Sequence, residues 1–414
     1  MKVILFSHSH PLFSKGGGEF AAYYQYQGIN ATKNNEAWFV ARAEDKQLHL
    51  GVPIAALNEK EFLISGNADV KDITTWLALD DKSDFVSMLK SIQPDVLHFH
   101  HYAFLGLELI RVAKRICPQA RIVLTLHEYI AICMHNGQMI KTNGKLCYQY
   151  SPRECALCFS NQTPESFFLR ERYIKSFFSL VDIFVSPSYF LRERYIAWGL
   201  PADKFRVIEN GLPVEEKVPL RPLFGDGQRG RFAYFGQINP YKGLDIILDA
   251  FAILPQRIKK QISLDIFGAG LDRQTTEYKD KINARLEANK KIVHYHGPYE
   301  AHEIQRLMRD VDWVMMGSIW WENSPLVIQE AFKFGRPVIC PDIGGMAEKV
   351  QDGVSGLHYR ARDSLSLATL IESVIFNNEL YEKLCAGLPK APTIDDCVAT
   401  HLELYNSIAL QSIN

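Results

Sequence analysis

No apolar run in this sequence approaches the roughly 20 residues that a helix needs to cross a bilayer, so nothing in it reads as a membrane span. Charge of one sign is lacking too: the formal net charge is −1, which gives no overall pull towards nucleic acid or an anionic lipid surface. The G-x-G-x-x-G dinucleotide pattern is missing after the first strand-like run, which removes the ground for assigning NAD. The opening residues Met1-Lys2-Val3-Ile4-Leu5-Phe6 turn polar at Ser7-His8, the pattern of a first strand and not of a signal peptide. A cytoplasmic protein is expected. In that setting the eight cysteines are read as thiols or metal ligands before disulfides.

What is present points to an ordinary globular protein of more than one domain. Hydrophobic residues make up 47% of the 414 and charged ones 22%, a balance that suits two soluble domains. Apolar runs at Val3–Ser9, Ala37–Ala41, Val96–Phe99, Ile122–Leu126 and Ile183–Val185 alternate with helix-like segments. That alternation predicts an α/β, doubly wound parallel sheet. Val207 to Pro213 closes this set, and a Pro- and Gly-rich stretch to Gly230 (Pro219, Pro222, Gly225, Gly227) reads as a linker. A second set follows at Phe232–Gly236, Leu264–Gly268, Ile292–His296, Trp313–Gly317 and Val338–Cys340, with a short last strand after Asp352-Gly353-Val354-Ser355-Gly356. The expected domains are residues 1–212, 213–392, and a tail 393–414 whose helix pattern, Val398 to Ile408, packs back on the first domain.

Chemistry-bearing residues gather where strands meet helices. Ser14-Lys15-Gly16-Gly17-Gly18-Glu19 is a glycine-rich turn that lets backbone approach a phosphate closely, or simply a tight turn. His98, His100 and His101 end one strand and His127-Glu128 the next, where ligands bind in open parallel sheets. His98 and His100 are weak candidates for contacting an acceptor; each of these histidines has a structural reading beside the functional one. Gly236-Gln237-Ile238-Asn239-Pro240-Tyr241-Lys242-Gly243 joins the first strand of the second domain to its first helix, placing Lys242 to neutralise a diphosphate. Trp321-Glu322-Asn323-Ser324-Pro325-Leu326 follows a buried strand and opens a helix running to Phe334. Glu330 is expected about two turns into that helix, on nearly the face of Glu322. Two carboxylates at such a mouth suit a hexose and a ribose, or are solvated acids beside a capped helix. Gly344-Gly345-Met346-Ala347-Glu348 repeats the loop-to-helix layout. Asp310-Val311-Asp312 imitates an acidic metal-binding triplet but precedes its strand, so it reads as structural.

Residues 130–160 form an insert containing Cys133, Cys147, Cys155 and Cys158. Cys155 and Cys158 have a chelating spacing for tetrahedral Zn²⁺. A structural zinc, with His135 replacing one cysteine as a variant, stands beside unliganded thiols or a disulfide formed on oxidation. The following segment, Glu165 to Leu180, mixes Phe167, Phe168, Tyr173, Phe177 and Phe178 with Arg170, Arg172 and Lys175. It can lie on a membrane surface or bury its aromatic face in the sheet, and the second reading is preferred.

In order and spacing these stations resemble the retaining GT-B glycosyltransferases of family 4. Trp321 to Gly356 looks like that family's Glu-x7-Glu signature with the following Gly-Gly and Asp-Gly-x-x-Gly, and Phe235 to Gly243 is similar to its phosphate loop. The resemblance implies two Rossmann-like domains facing across a cleft, acceptor on the first and nucleotide-sugar on the second. It implies that Glu330 holds the ribose hydroxyls and that Glu322 sits by the donor sugar, with Asn323, Ser324, Pro325 and Leu326 presenting backbone to sugar and phosphate. Lys242 stabilises the departing diphosphate, helped by Gly16, Gly17 and Gly18, and His127 touches the donor sugar. An arginine usually stands where this chain has Gln237, which can hydrogen-bond a phosphate but not neutralise it. No catalytic cofactor is implied. The donor is expected to be a UDP-sugar, with a GDP-sugar second, and the acceptor a glycan or lipid-linked hydroxyl in bacterial surface polysaccharide synthesis. Contact with the inner-membrane surface belongs to the same expectation. Another enzyme of this architecture, an epimerase or a phosphorylase, and a non-catalytic sugar-nucleotide binder are the rival readings.

Overall fold

Short runs of branched and aromatic residues form the strands of two separate sheets in the computed structural model. The structure describes every residue except 15, 45–46, 49–51, 67–68, 70–71, 224–226 and 411–414, and leaves out the side chains of 409–410. Lys15 of the glycine turn and Gly225 of the linker reading thus lie outside the described residues. The chain divides into Met1–Gly211 with Pro392–Asn414, and Leu212–Ala391.

The first unit has β1 (Lys2–Ser7), β2 (Glu36–Ala43), β3 (Ile54–Ala56), β4 (Glu61–Ser65), β5 (Val96–Phe99), β6 (Arg121–Thr125), β7 (Ile183–Ser186) and β8 (Phe205–Val207). Their order is β3-β4-β2-β1-β5-β6-β7-β8. Val3, Ile4, Leu5 and Phe6 are all fully buried, so both faces of β1 are covered, as a parallel sheet requires. The Gly17–Ala31 helix brings Ala22 and Ile29 onto Val3 and Leu5, and the Ile394–Leu410 helix adds Tyr405 and Ile408 to the same core. The antiparallel β3–β4 edge is not anticipated by the parallel reading. Its strands are three and five residues long, too short for a periodic signal. The Asn58 carboxamide makes the turn by accepting from the Lys60 and Glu61 amides.

The second unit has β9 (Arg231–Phe235), β10 (Ser263–Phe267), β11 (Val293–Gly297), β12 (Trp313–Met315), β13 (Val338–Pro341) and β14 (Gly356–Tyr359), in the order β11-β10-β9-β12-β13-β14. Phe232, Leu264 and Trp313 pack against Phe251 and Ile371 on one face, and Val314 and Cys340 against Ile328 on the other. The chain steps from β9 outward to β11 and then returns to place β12 on β9's other side. That reversal opens a crevice at the carboxyl ends of β9 and β12, the place where such sheets bind ligands. The first unit has the same reversal between β1 and β5.

The linker reading needs revision over Pro213 to Pro222. This stretch is tied along the second unit by Lys333 donating to the Pro213 carbonyl, Gln305 to Glu216 and Arg336 to Pro219, while Val218 is buried in the core. Asp312 is structural. Fully buried, its carboxylate accepts from Arg221 at 2.8 Å, Arg229 at 3.2 Å and the Arg231 amide at 3.0 Å. Removing the charge leaves two largely buried guanidiniums without their anion. Asp312→Asn is therefore expected to cost about 3–5 kcal/mol in urea unfolding; a loss within about 0.5 kcal/mol, the range of an ordinary surface change, would contradict this.

Candidate active site

Two loops meet in the crevice between β9 and β12. The loop after β9 reaches Gly243, which has φ of 61°, and the loop after β12 starts at Gly317. A Cβ on either glycine would overlap the other's carbonyl oxygen, so the backbones touch only because both side chains are absent. The Ile319 amide donates to the Tyr241 carbonyl at 2.9 Å and closes the seam. This contact explains why the expected strand Trp313–Gly317 stops at Met315.

The seam brings Lys242 to Glu322. Lys242 Nζ donates to Glu322 Oε1 at 2.6 Å, and the same oxygen accepts from the Ser318 hydroxyl at 2.6 Å and the Trp320 indole at 3.0 Å. Glu322 is buried, whereas the Lys242 side chain is 26% exposed, so the cation forms the open end of the pair. Trp320 also presents its ring to the ammonium, 5.6 Å from the centroid. Ser318 and Trp320 were not among the residues singled out from sequence. Their positions four and two before Glu322 carry no motif, and only the fold shows that they hold the carboxylate.

Asn323, Ser324 and Pro325 lead into the Leu326–Lys333 helix, with Pro325 as its N-cap. Ser324 Oγ is buried without a hydrogen-bond partner among the described residues, a polar atom with capacity to spare. Gly345 donates its amide to the Glu322 carbonyl at 2.7 Å, and a Cβ there would overlap the Asn323 carbonyl. Glu330 lies one turn into the helix and not two, because the helix starts only at Leu326. Burial pushes its carboxyl up to about 7, opposed by Lys333 and reinforced by Glu215. Gln237 is exposed on the β9 loop, and its backbone carbonyl accepts from the Tyr234 hydroxyl at 2.8 Å.

In the first unit the strand-end histidines separate into two groups. His98 is fully buried, with Nδ1 2.5 Å from the Tyr405 hydroxyl and Nε2 2.7 Å from the Thr125 hydroxyl. Both ring nitrogens are engaged, which corrects the expectation that His98 contacts an acceptor. His101 is likewise structural: its Nδ1 accepts from the Tyr102 and Ala103 amides. His100 is buried, and its Nδ1 lies 3.3 Å from His127 Nε2. It therefore backs His127 instead of facing an acceptor itself. Burial first, then the neighbouring His8, takes His127 down to about 4, so its ring is neutral at pH 7. A neutral imidazole suits hydroxyls and not phosphates. The glycine turn lies beside it: a Cβ on Gly18 would sit 3.8 Å from His127 Cγ. Gly16 is the N-cap of the Gly17–Ala31 helix.

The family model for glycosyl transferases group 1 matches residues 223–386, and that for glycosyltransferase family 4 matches 71–216. Between them they take in most of both units. This chain belongs to the family 4, group 1 glycosyltransferases. Among curated relatives, it is 26% identical over 196 residues to a D-inositol 3-phosphate glycosyltransferase of Frankia alni, covering 45% of this chain and 48% of that one. It is 26% identical over 213 residues to the glycosyltransferase MJ1607 of Methanocaldococcus jannaschii, 49% and 53% of the two chains. The chain spans about half the length of these curated relatives. Among solved structures, Alr3699/HepE of Anabaena in complex with UDP superposes with a TM-score of 0.67 at 17% identity, covering 98% of this chain and 100% of that one. A sucrose-phosphate synthase of Thermosynechococcus elongatus gives 0.69 at 15%, with 99% of each covered. The shared fold is the GT-B class.

The cysteine insert of this family 4 chain does not support the zinc expectation. Cys133, Cys147, Cys155, Cys158 and His135 line one pocket with Ile140 and Phe167, yet among the described residues no three His, Cys, Asp or Glu are arranged to hold a metal ion. His135 Nδ1 is turned to the Ile140 carbonyl at 2.8 Å, and Cys147 donates to Gln149. Burial in this apolar pocket pushes the Cys133 and Cys155 thiols up to about 11. Arg170 orders the insert instead, donating to the Ile130 and Ala131 carbonyls at 2.7 Å each. The helix that carries it, Pro164–Phe178, buries Phe167, Ile174, Phe177 and Phe178. Among the described residues no helix is long and apolar enough to cross a membrane.

Glu330 supplies a pH test of this geometry. Its folded carboxyl titrates at about 7 against an ordinary 4.5, so the protonated form stabilises the fold. That contribution is complete below about 4.5 and is lost as pH rises through about 7. Urea unfolding should show wild type losing about 2.5 kcal/mol relative to Glu330→Gln between pH 5 and 8. Parallel pH profiles would contradict the placement of this carboxyl.

Proposed function

We propose that this chain is a retaining, metal-independent glycosyltransferase that moves a hexose from a nucleotide-diphosphate sugar to a hydroxyl of a glycan or lipid-linked acceptor. The observation that carries the reading is the Lys242–Glu322 contact at the switch point of the second sheet. A cation beside a carboxylate matches the two ends of an activated sugar: the ammonium neutralises phosphate, and the carboxylate accepts from sugar hydroxyls. Asn323 to Leu326 present the start of a helix towards the same place, where N–H dipoles favour an anion. The unpartnered Ser324 hydroxyl adds a donor, and Glu330 is the proposed partner of the ribose diol.

UDP is the first choice of donor nucleotide, with GDP second. Support comes from the solved neighbours, among them Alr3699/HepE of Anabaena in complexes with UDP, with UDP and glucose, and with UDP-glucose. An apo-form neighbour, the lipopolysaccharide outer core galactosyltransferase WaaB, supports surface-polysaccharide assembly as the setting. In the proposed front-face reaction the acceptor hydroxyl attacks from the side the diphosphate leaves, and a phosphate oxygen takes its proton. The first unit contributes acceptor binding, the glycine turn Gly16–Gly18, and the neutral ring of His127. With no protein nucleophile used, catalysis is placement and charge stabilisation. Lys242 carries the main electrostatic part, because Gln237 brings no charge to the same loop.

Release of UDP from UDP-glucose, followed without added acceptor, tests this reading. Slow turnover is expected, with Lys242→Ala lowering it by about 10²–10³-fold. Unchanged turnover in Lys242→Ala would overturn the phosphate assignment. In a thermal-shift panel UDP and its sugars should raise the melting temperature more than GDP or ADP; a GDP-selective rise would reverse the order of donors.

A further inference from the structure

The turn after β1 holds an imidazole–carboxylate pair that the proposed reaction does not yet use. His8 follows directly on β1, and its Nε2 lies 3.3 Å from Glu19 Oε1 in the first turn of the Gly17–Ala31 helix. The Ser14 hydroxyl donates to the same Glu19 oxygen. Glu19 is 5% exposed, and its carboxyl folds back under the turn where a Cβ on Gly16 would overlap it. Burial raises this carboxyl, but the hydrogen bonds from His8 and Ser14 outweigh it and bring it down to about 2. The group is thus ionised and only accepts. The His8 nitrogen that faces it donates to the carboxylate, which leaves Nδ1 on the other side of the ring for a ligand.

Position makes this more than a local ion pair. A Cβ built on Gly18 would sit 3.5 Å from His8 Cε1 and 3.8 Å from His127 Cγ, so the two imidazoles flank one glycine. His101 packs on His8 with the rings tilted by 55° and their centroids 4.6 Å apart, and is buried. His8 keeps 21% of its side chain exposed, at the β1–β5 switch point where the sheet opens to ligands. His100, stacked on His127, has a buried Nε2 without a partner among the described residues, so hydrogen-bonding capacity in this group exceeds what they fill.

We propose that His8, oriented by Glu19, contacts the incoming acceptor hydroxyl and places it for attack. This rests on the glycosyltransferase reading above. Through Nδ1, His8 hydrogen-bonds the hydroxyl and places its oxygen, while the proton leaves to the departing phosphate. Glu19 is a positioning residue that acts through His8.

Hydrolysis of UDP-glucose, in which water takes the acceptor's place, gives a test on the full chain. His8→Ala should lower kcat by about tenfold or more with KM for UDP-glucose, Kd for UDP and melting temperature unchanged. His8→Asn, whose amide can still hydrogen-bond a hydroxyl, should restore most of it. Glu19→Ala should fall between, and the double variant should be no slower than His8→Ala alone, because Glu19 acts only through the ring. Turnover of His8→Ala within twofold of wild type, or a double variant slowed by the product of the two single effects, would overturn the proposal. The reading beneath it fails separately: wild type that binds UDP but releases none from any nucleotide-sugar is no transferase, whatever His8 does.

Discussion

A salt bridge between Lys242 and Glu322 depends on two glycines that let the loops after β9 and β12 touch. Without that contact, Lys242 is an exposed surface lysine and Glu322 a loop acid. With it, a buried carboxylate saturated at one oxygen fixes a half-open ammonium at the reversal point of the sheet. The cost of burying Glu322 is offset by three donors on one oxygen, more than a single ion pair supplies. In the proposed reaction the lysine then exchanges part of that attraction for a phosphate, so the charge is already in place when the bond breaks.

The two units handle charge in opposite ways. The second concentrates it: one cation and two acids, one of them raised to about 7 by burial. The first suppresses it. His98, His100 and His101 are all lowered well below the usual imidazole range by burial, and His127 to about 4. Glu19 beside them is held firmly ionised. In the proposed reading, the neutral ring of His127 near this carboxylate suits hydroxyls, while Lys242 and Glu330 of the second unit suit phosphate and ribose. That division matches the proposed assignment of acceptor and donor.

Much of the fold was legible because parallel strands buried on both faces leave continuous apolar runs, as at Val3–Phe6 and Val96–Phe99. The β3–β4 edge left no such run and went unseen. Lys242, Glu322, Ser324 and Glu330 were legible as a group because they lie in two contiguous stretches at strand ends. Their bonding was not: nothing in the sequence tells that Lys242 meets Glu322, since that follows from Gly243 opposing Gly317 across the sheet. The histidines misled for a related reason. Strand-end position marked His98, yet Tyr405, 307 residues away, seals it. The same positional rule applied to β1 would have picked out His8. Four cysteines, two of them at chelating spacing, suggested zinc, but apolar walls and an arginine clamp order that insert, and among the described residues no three ligands converge.

In the proposed donor site Lys242 holds the terminal phosphate of the nucleotide while Glu330 holds the ribose. Phosphorus NMR of bound UDP addresses it directly. The β-phosphorus resonance should shift on binding to wild type, and in Lys242→Met that shift should collapse while UDP still binds, more weakly. A β-phosphorus shift of the same size in Lys242→Met would contradict the claim.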